Sequence, residues 1–166
     1  IWEDDWKYKK DIVKNLIRGK LGLHTNKINA RDCVVKEIDT KIAKEFCNTY
    51  HIQGYASSQV KLGLYYNNKL VMVCLFSKKR RLIGGKPKEG EWELSRMCSP
   101  FDAHVRGGAS KLLKHFVRLY RPKTIITFAD LSVSNGDVYE KMGFKKEHIV
   151  PPTYYWTTMD IRLPRY

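Results

Sequence analysis

The chain has 166 residues, 43% of them hydrophobic, a size and composition that suit a single globular core. Its 31 Lys and Arg against 17 Asp and Glu give a formal net charge of +14, a positive field that attracts nucleic acid and makes binding steeply salt-dependent. No apolar run approaches the roughly 20 residues of a membrane span and no signal-peptide pattern opens the sequence, so a soluble, cytoplasmic protein with no membrane partner is expected. Cys33, Cys47, Cys74 and Cys98 are widely separated, with no Cys-x-x-Cys pair and no His at zinc-ligand spacing, which points to reduced, buried thiols and no metal site.

Trp2 and Trp6 stand among acids, and Ile12, Val13, Leu16, Ile17 and Leu21 then keep helical spacing over 11–22, stopped by Gly22. Asp4, Asp5 and Asp11 fit acids at a helix start better than metal ligands. A basic loop is expected over 23–31, a first strand over 33–38, and a helix capped by Asp39-Thr40 whose inner face is Ile42, Ala43, Phe46 and Tyr50. The polar stretch 51–58 reads as a loop, with His51 a candidate base or base-edge contact and a structural residue as the plainer alternative. Leu62, Leu64 and Tyr66 alternate, Asn67-Asn68 turns, and 70–76 returns as a continuous apolar strand, so 60–76 is a core hairpin. Lys78, Lys79, Arg80 and Arg81, with Lys86 and Lys88 beyond Gly84-Gly85, form a basic loop between strands. It is either a solvated face or a grip on a DNA phosphate backbone by shape and charge.

Alternation over 92–98 predicts a strand that carries Ser95 and Arg96 near its end. After a short loop, Arg106-Gly107-Gly108-Ala109-Ser110-Lys111 opens a helix with Leu112, Leu113, Phe116, Val117 and Tyr120 on one stripe. The glycine turn fits close helix packing, or a phosphate held by bare N–H groups at the positive end of the helix. Pro122 ends that helix region, and 124–128 is a β-branched and aromatic strand. Asp130, Ser132 and Ser134 follow in a polar loop, and Val138, Tyr139 and Met142 form a short helix stopped by Gly143. Strand, helix, strand, helix is a βαβα unit, which places its ligand at the carboxyl ends of its strands. Beyond Pro151-Pro152, Tyr154-Tyr155-Trp156 open a final strand ending near Arg162; these aromatics suit packing on the sheet or stacking on an extruded base.

Gly107-Gly108-Ala109-Ser110-Lys111-Leu112-Leu113 followed by Tyr139-Glu140-Lys141-Met142-Gly143-Phe144 resembles the pyrophosphate loop and the later Tyr-x-x-x-Gly-Phe helix of GNAT acyltransferases. More closely, Trp92-Glu93-Leu94-Ser95-Arg96, Phe128-Ala129-Asp130 and Asn135-Gly136-Asp137-Val138-Tyr139 resemble the GNAT-like Mom DNA-modification proteins of phages. They also resemble the GNAT-like domain that follows nuclease domains in phage homing endonucleases. The resemblance implies an α/β (α+β) fold with a mixed central sheet and helices on both faces. It implies a connector over 1–22 before a domain over 23–166, with a nuclease domain fused to it or lost, and the host cytoplasm as the compartment if the protein is phage-encoded. It also implies acetyl-CoA or another acyl-CoA as donor, DNA as partner, and Tyr139 as the tyrosine that protonates the leaving thiolate. One position departs from the family loop: His104 stands where Arg or Gln precedes the first glycine by three residues.

Two functions follow. The first is a Mom-like transferase modifying a DNA base. Arg96 and Asp130 would lie at the pocket, Ser95 would add a hydrogen bond, Tyr139 would supply a proton, and Arg106, Gly107, Gly108, Ala109, Ser110 and Lys111 would hold the donor. The alternative is a non-catalytic DNA-binding module of a homing-endonuclease-like protein, which the charge would serve equally well. An acetyltransferase for cationic protein or small-molecule acceptors fits poorly, because the basic surface repels them.

Overall fold

The computed structural model describes residues 1–24, 26–78, 89–152, 154–159 and 161–163. Of the residues expected to bind DNA, Lys78 is exposed at the end of a strand, while Lys79, Arg80, Arg81, Lys86 and Lys88 lie outside the described residues. In chain order the elements are α1 (Glu3–Tyr8), α2 (Lys10–Lys20), β1 (Asn26–Asn29), a 3-10 turn (Ala30–Asp32), β2 (Val34–Glu37), α3 (Thr40–Tyr50), β3 (Val60–Tyr66) and β4 (Lys69–Lys78). There follow β5 (Glu91–Cys98), β6 (Ala103–Arg106), α4 (Gly108–Tyr120), β7 (Thr124–Ile126), α5 (Asp137–Lys141), β8 (Trp156–Thr158) and β9 (Ile161–Leu163).

Five strands form the central sheet in the order β2-β3-β4-β5-β7, antiparallel except for the parallel β5–β7 pair. The β3–β4 hairpin turns on Asn67 and Asn68, both at positive φ (47° and 60°), a conformation that asparagine tolerates and that matches the twist of the flanking strands. β4 is apolar from Leu70 to Phe76 because helices cover both faces of the sheet. Met72, Cys74 and Phe76 pack with Leu112, Leu113 and Phe116 of α4, and Val73 and Leu75 between them pack with Ala43, Phe46 and Cys47 of α3. Phe76 and Phe116 stack with ring centroids 3.9 Å apart, and Trp92 meets Phe116 edge-on at 5.1 Å. Asp39 caps α3 as its sequence suggests, accepting from Ile42 N–H at 2.8 Å. Ile42 itself is exposed, and Cys47 takes its place on the inner face.

Three expectations are corrected. The loop over 23–31 contains β1, which pairs in parallel with β6, a second strand not expected from sequence. Main-chain bonds make this pair, since Ile28 is the only apolar residue β1 offers and no alternation marks it. The strand over 124–128 ends at Ile126 and leaves Phe128 exposed. The single final strand is instead a β8–β9 hairpin in its own two-stranded sheet, turned at Met159 (φ 47°), with Tyr154, Tyr155 and Trp156 exposed rather than packed into the main sheet. Among the described residues no helix is long and apolar enough to cross a membrane.

Candidate functional site

Glu91, Trp92 and Glu93 of β5 stand opposite Thr124, Ile125 and Ile126 of β7. There the ladder stops. β7 ends, while β5 runs on to Cys98 paired with β4. The carboxyl half of β5 therefore faces an opening in the sheet, the position at which a sheet with parallel strands takes its ligand. A β-bulge marks the same point: Leu75 pairs with Arg96 and Phe76 with Leu94, so Ser95 is the extra residue. Such a bulge bends the strand and re-aims the side chains beside it. Ser95 Oγ donates to Leu75 O at 3.1 Å, and Thr127 Oγ1, just beyond β7, donates to Leu94 O at 3.1 Å.

Arg96 crosses to the 51–58 loop. Its Nε donates to Gly54 O at 2.8 Å and a terminal nitrogen donates to Ser95 O at 2.6 Å. Lys9 Nζ holds Ile52 O at 2.7 Å, and Asn48 Oδ1 accepts from Tyr55 N–H at 2.9 Å. Gly54 sits at φ +64°, where an added Cβ would meet Asn48 Oδ1 at 2.9 Å, so the loop is fixed from three sides and tolerates no side chain there. His51 lies within it. Burial, with the charges of Arg96 and Lys9, pushes its imidazole down to about 4, and its Nδ1 accepts from Gln53 N–H at 3.1 Å. The ring is thus neutral with its proton on Nε2, a donor rather than the base considered from sequence.

Tyr139 projects from α5, half-buried, its ring edge-on to Phe144 at 6.0 Å. Burial pushes its phenol up, against a hydrogen bond with Thr127 and the charge of Arg96, so it holds its proton at neutral pH. Beneath Arg96 lie buried thiols. Cys98 Sγ donates to Cys47 Sγ at 3.9 Å, which lowers Cys47, while that bond and burial raise Cys98. Thr127 thus links Tyr139 to the main chain of β5 at Leu94, and the charge of Arg96 reaches the phenol, while Ser95 Oγ turns back to Leu75 of β4. Asp130 is exposed beyond the end of β7, where its Oδ1 accepts from Ser132 N–H at 2.9 Å and from Ser132 Oγ at 2.7 Å.

At the start of α4 the two glycines do different work. Gly107 is the N-cap at φ +73°, with open space around it except for Ala30 Cβ at 3.7 Å, and no side chain caps the first turn. A Cβ on Gly108 would meet Met72 Sδ and Val105 Cγ1 at 2.8 Å each, so Gly108 is there for packing. Ala109 is buried and Ser110 half-buried. Lys111 Nζ donates to Ala30 O at 2.8 Å and Cys33 O at 2.6 Å, tying α4 to the 3-10 turn, and Arg106 is exposed at the end of β6 opposite Asn29. A bare left-handed turn and a first turn with no side-chain cap fit a pyrophosphate.

Sequence reasoning missed Thr127 and Cys47. Thr127 looks like any β-branched strand residue, and the proximity of Cys47 to Cys98 depends on how α3 crosses the sheet. Asn48, by contrast, is a polar residue on an otherwise amphipathic helix and could have drawn notice.

Among solved structures the chain is similar to an acetyltransferase of the GNAT family from Streptococcus pneumoniae at 11% identity and a TM-score of 0.51, covering 73% of this chain and 98% of that one. It is similar to a ribosomal-protein-alanine N-acetyltransferase from Brucella melitensis at 12% identity and a TM-score of 0.51, covering 74% and 99%. An integron cassette protein from V. cholerae aligns at 13% identity and a TM-score of 0.51, covering 76% and 93%. No curated protein matches the chain. At such identities these likenesses establish the GNAT-like mixed α/β fold expected from the sequence, with α3 and α4 on opposite faces of its sheet. The Mom protein family model matches residues 32–154, well over half of the chain and every element from β2 to α5, and the chain therefore belongs to the Mom protein family.

Proposed function

We propose that the chain is a transferase that modifies a DNA base with an acyl-CoA-type donor. The observation that supports this is the opening where β7 stops and β5 runs on, with the Ser95 bulge and Arg96 on β5 and a protonated Tyr139 within reach of the Arg96 charge. The formal charge of +14 supports DNA as the partner.

The donor would supply an activated acyl thioester. The first-turn N–H groups of Gly108, Ala109 and Ser110 would hold its pyrophosphate, and Lys111 braces that turn against Ala30 and Cys33. Tyr139 Oη keeps a proton at neutral pH and delivers it where a leaving group gains negative charge. Arg96 ties the 51–58 loop to β5 through Gly54 O and brings positive charge to that strand. Asp130 supplies an exposed carboxylate at the same end of the sheet, toward the incoming exocyclic amine of a base turned out of the duplex.

The test is mass analysis of nucleosides from duplex DNA incubated with the protein and acetyl-CoA or longer acyl-CoA donors. A mass gain on one base is expected, falling roughly 100-fold in Tyr139→Phe, which keeps the ring packing on Phe144 and loses the proton. DNA that stays unmodified with every donor, in a protein that binds both DNA and donor, rules the proposal out.

A further inference from the structure

A second concentration of positive charge lies away from the β5–β7 opening. Val105 of β6 points toward the core against Gly108, so its neighbours His104 and Arg106 project from the other side, toward the end of α2. There a pocket of about 240 Å³ is lined by Gly19, Gly22, His24, Lys27, His104 and Arg106. Four of these six side chains are basic and none is acidic. The two glycines form a bare wall: a Cβ on Gly19 would come within 3.4 Å of His24 Nε2, and Gly22 turns at φ +68° with open space beside it.

The rings of His24 and His104 stack at 5.5 Å with 19° between their planes. Like-charged groups gathered this closely repel one another, and His104 is held below its ordinary value by burial and by the charges of His24, Arg106 and Lys27. Among the described residues no carboxylate pairs with Lys27 or Arg106. The acid next door, Asp102, accepts from Asn26 Nδ2 at 2.7 Å. His24 Nδ1 is buried with no hydrogen-bond partner, and a buried polar atom left so asks for an explanation. One guest answers each of these features: an oxyanion that accepts from His24, Lys27 and Arg106 and neutralises the cluster.

We infer that the pocket between α2, β1 and β6 is a binding site for a single phosphate group, held by His24, Lys27, His104 and Arg106. The pocket falls below the roughly 300–1,000 Å³ of sites for drug-sized ligands, and it has room for a phosphate and its waters. A phosphodiester of a DNA backbone passing over the basic face is the source that fits the proposed function; that source rests on the proposed function, and the site itself does not. A phosphate of the donor is the other source. Contacts to phosphate position a duplex without reading its sequence, so the pocket would set how DNA lies on the protein, leaving base choice to the opening beyond.

The experiment is a titration of the intact chain with inorganic phosphate at constant ionic strength, following the imidazole resonances of its five histidines by NMR. His24 and His104 are expected to shift together and saturate while His51, His115 and His148 stay still. Lys27→Gln should weaken the response about tenfold or more. Duplex oligonucleotide that displaces phosphate supports the site and gives DNA as its source. Coenzyme A that displaces it when duplex does not supports the site, moves its source to the donor and counts against the DNA reading of this face. No saturable shift in the wild-type protein, or equal shifts at all five histidines, overturns the proposal without reference to any variant.

Discussion

Two arginine-bearing clusters lie outside the central sheet, one on the β8–β9 hairpin and one on the β1–β6 pair, and their contrast separates charge that holds the fold from charge that awaits a ligand. In the first, Arg162 of β9 donates from Nε to Asp4 at 2.8 Å and from a terminal nitrogen to Asp5 at 2.6 Å, with the rings of Trp2 and Tyr155 at 4.9 and 5.5 Å. Asp4 is held below its ordinary value chiefly by the Arg162 hydrogen bond. Arg162 is raised because its two carboxylates outweigh the burial that would lower it. In the second, Arg106 of β6 shares a pocket with Lys27, His24 and His104, and His104 shifts away from its charged form. Where the shifts favour the charged state the cluster is complete. Where they oppose it, His104 is pushed toward its neutral form, and an anion would favour its charged form again.

Breaking the first cluster should have the largest effect. Arg162→Ala takes from Asp5, which is 7% exposed, its short ion pair and leaves it the longer one to Lys9 Nζ at 3.8 Å, so it should cost about 2 kcal/mol. The loss should be local, read as faster amide exchange in α1 and β8–β9 with the central sheet unchanged. A uniform loss of protection across the sheet would show that the clasp is part of the main cooperative unit instead. Acid should open it too. A carboxylate with a depressed folded value stabilises above its ordinary 3.8 and loses that contribution as pH falls below it, so exchange in α1 should accelerate below about pH 4.

Breaking the second cluster should carry the opposite sign. Lys27→Gln removes one of four mutually repelling groups and should raise stability by about 0.5 kcal/mol in urea melts without phosphate. Added phosphate should then stabilise the wild-type protein, through binding to the folded state alone, and leave the variant nearly unmoved. A destabilisation by Lys27→Gln comparable to that of Arg162→Ala would erase the distinction between the two clusters.

Which parts of this were legible in the sequence follows from the range of the forces involved. The β3–β4 hairpin, the Asp39 cap, the α4 stripe and the Gly107 turn are written within a few neighbouring residues, and each appears where the local pattern placed it. Ser95, Arg96 and Tyr139 were singled out by family resemblance, and Arg96 and Tyr139 lie near enough for the arginine's charge to act on the phenol. The bulge that aims them was not legible, because it is a mismatch between β5 and residues Leu75-Phe76 of another strand. The β1–β6 pair escaped for the same reason. His24 and His104 are separated by most of the domain, and Asn26–Asn29 carries no alternation to mark it as a strand that could bring them together. The aromatic run at 154–156 misled differently: its β-forming residues do enter a strand at Trp156, but they pair only within their own hairpin.

The smallest expected effect, and the one that tests the sign of the contrast most directly, is the pH dependence of the unclasped cluster. His104 is depressed below 6.5, first by burial and then by His24, Arg106 and Lys27, so the unfolded chain takes up its proton at a higher pH than the folded chain does. Stability should therefore fall as pH drops below 6.5, in the direction opposite to a histidine that has gained a carboxylate partner. His51, pushed down to about 4 by burial, contributes in the same direction over a wider window. The informative quantity is consequently the difference between wild type and His104→Gln, in which the contribution of His51 cancels. That difference should shrink the acid loss in the variant. Saturating phosphate should then reverse its sign in the wild type, because an oxyanion in the pocket favours the imidazolium that the empty cluster disfavours. A difference that phosphate leaves untouched would mean that His104 titrates against burial alone, with no anion reaching it.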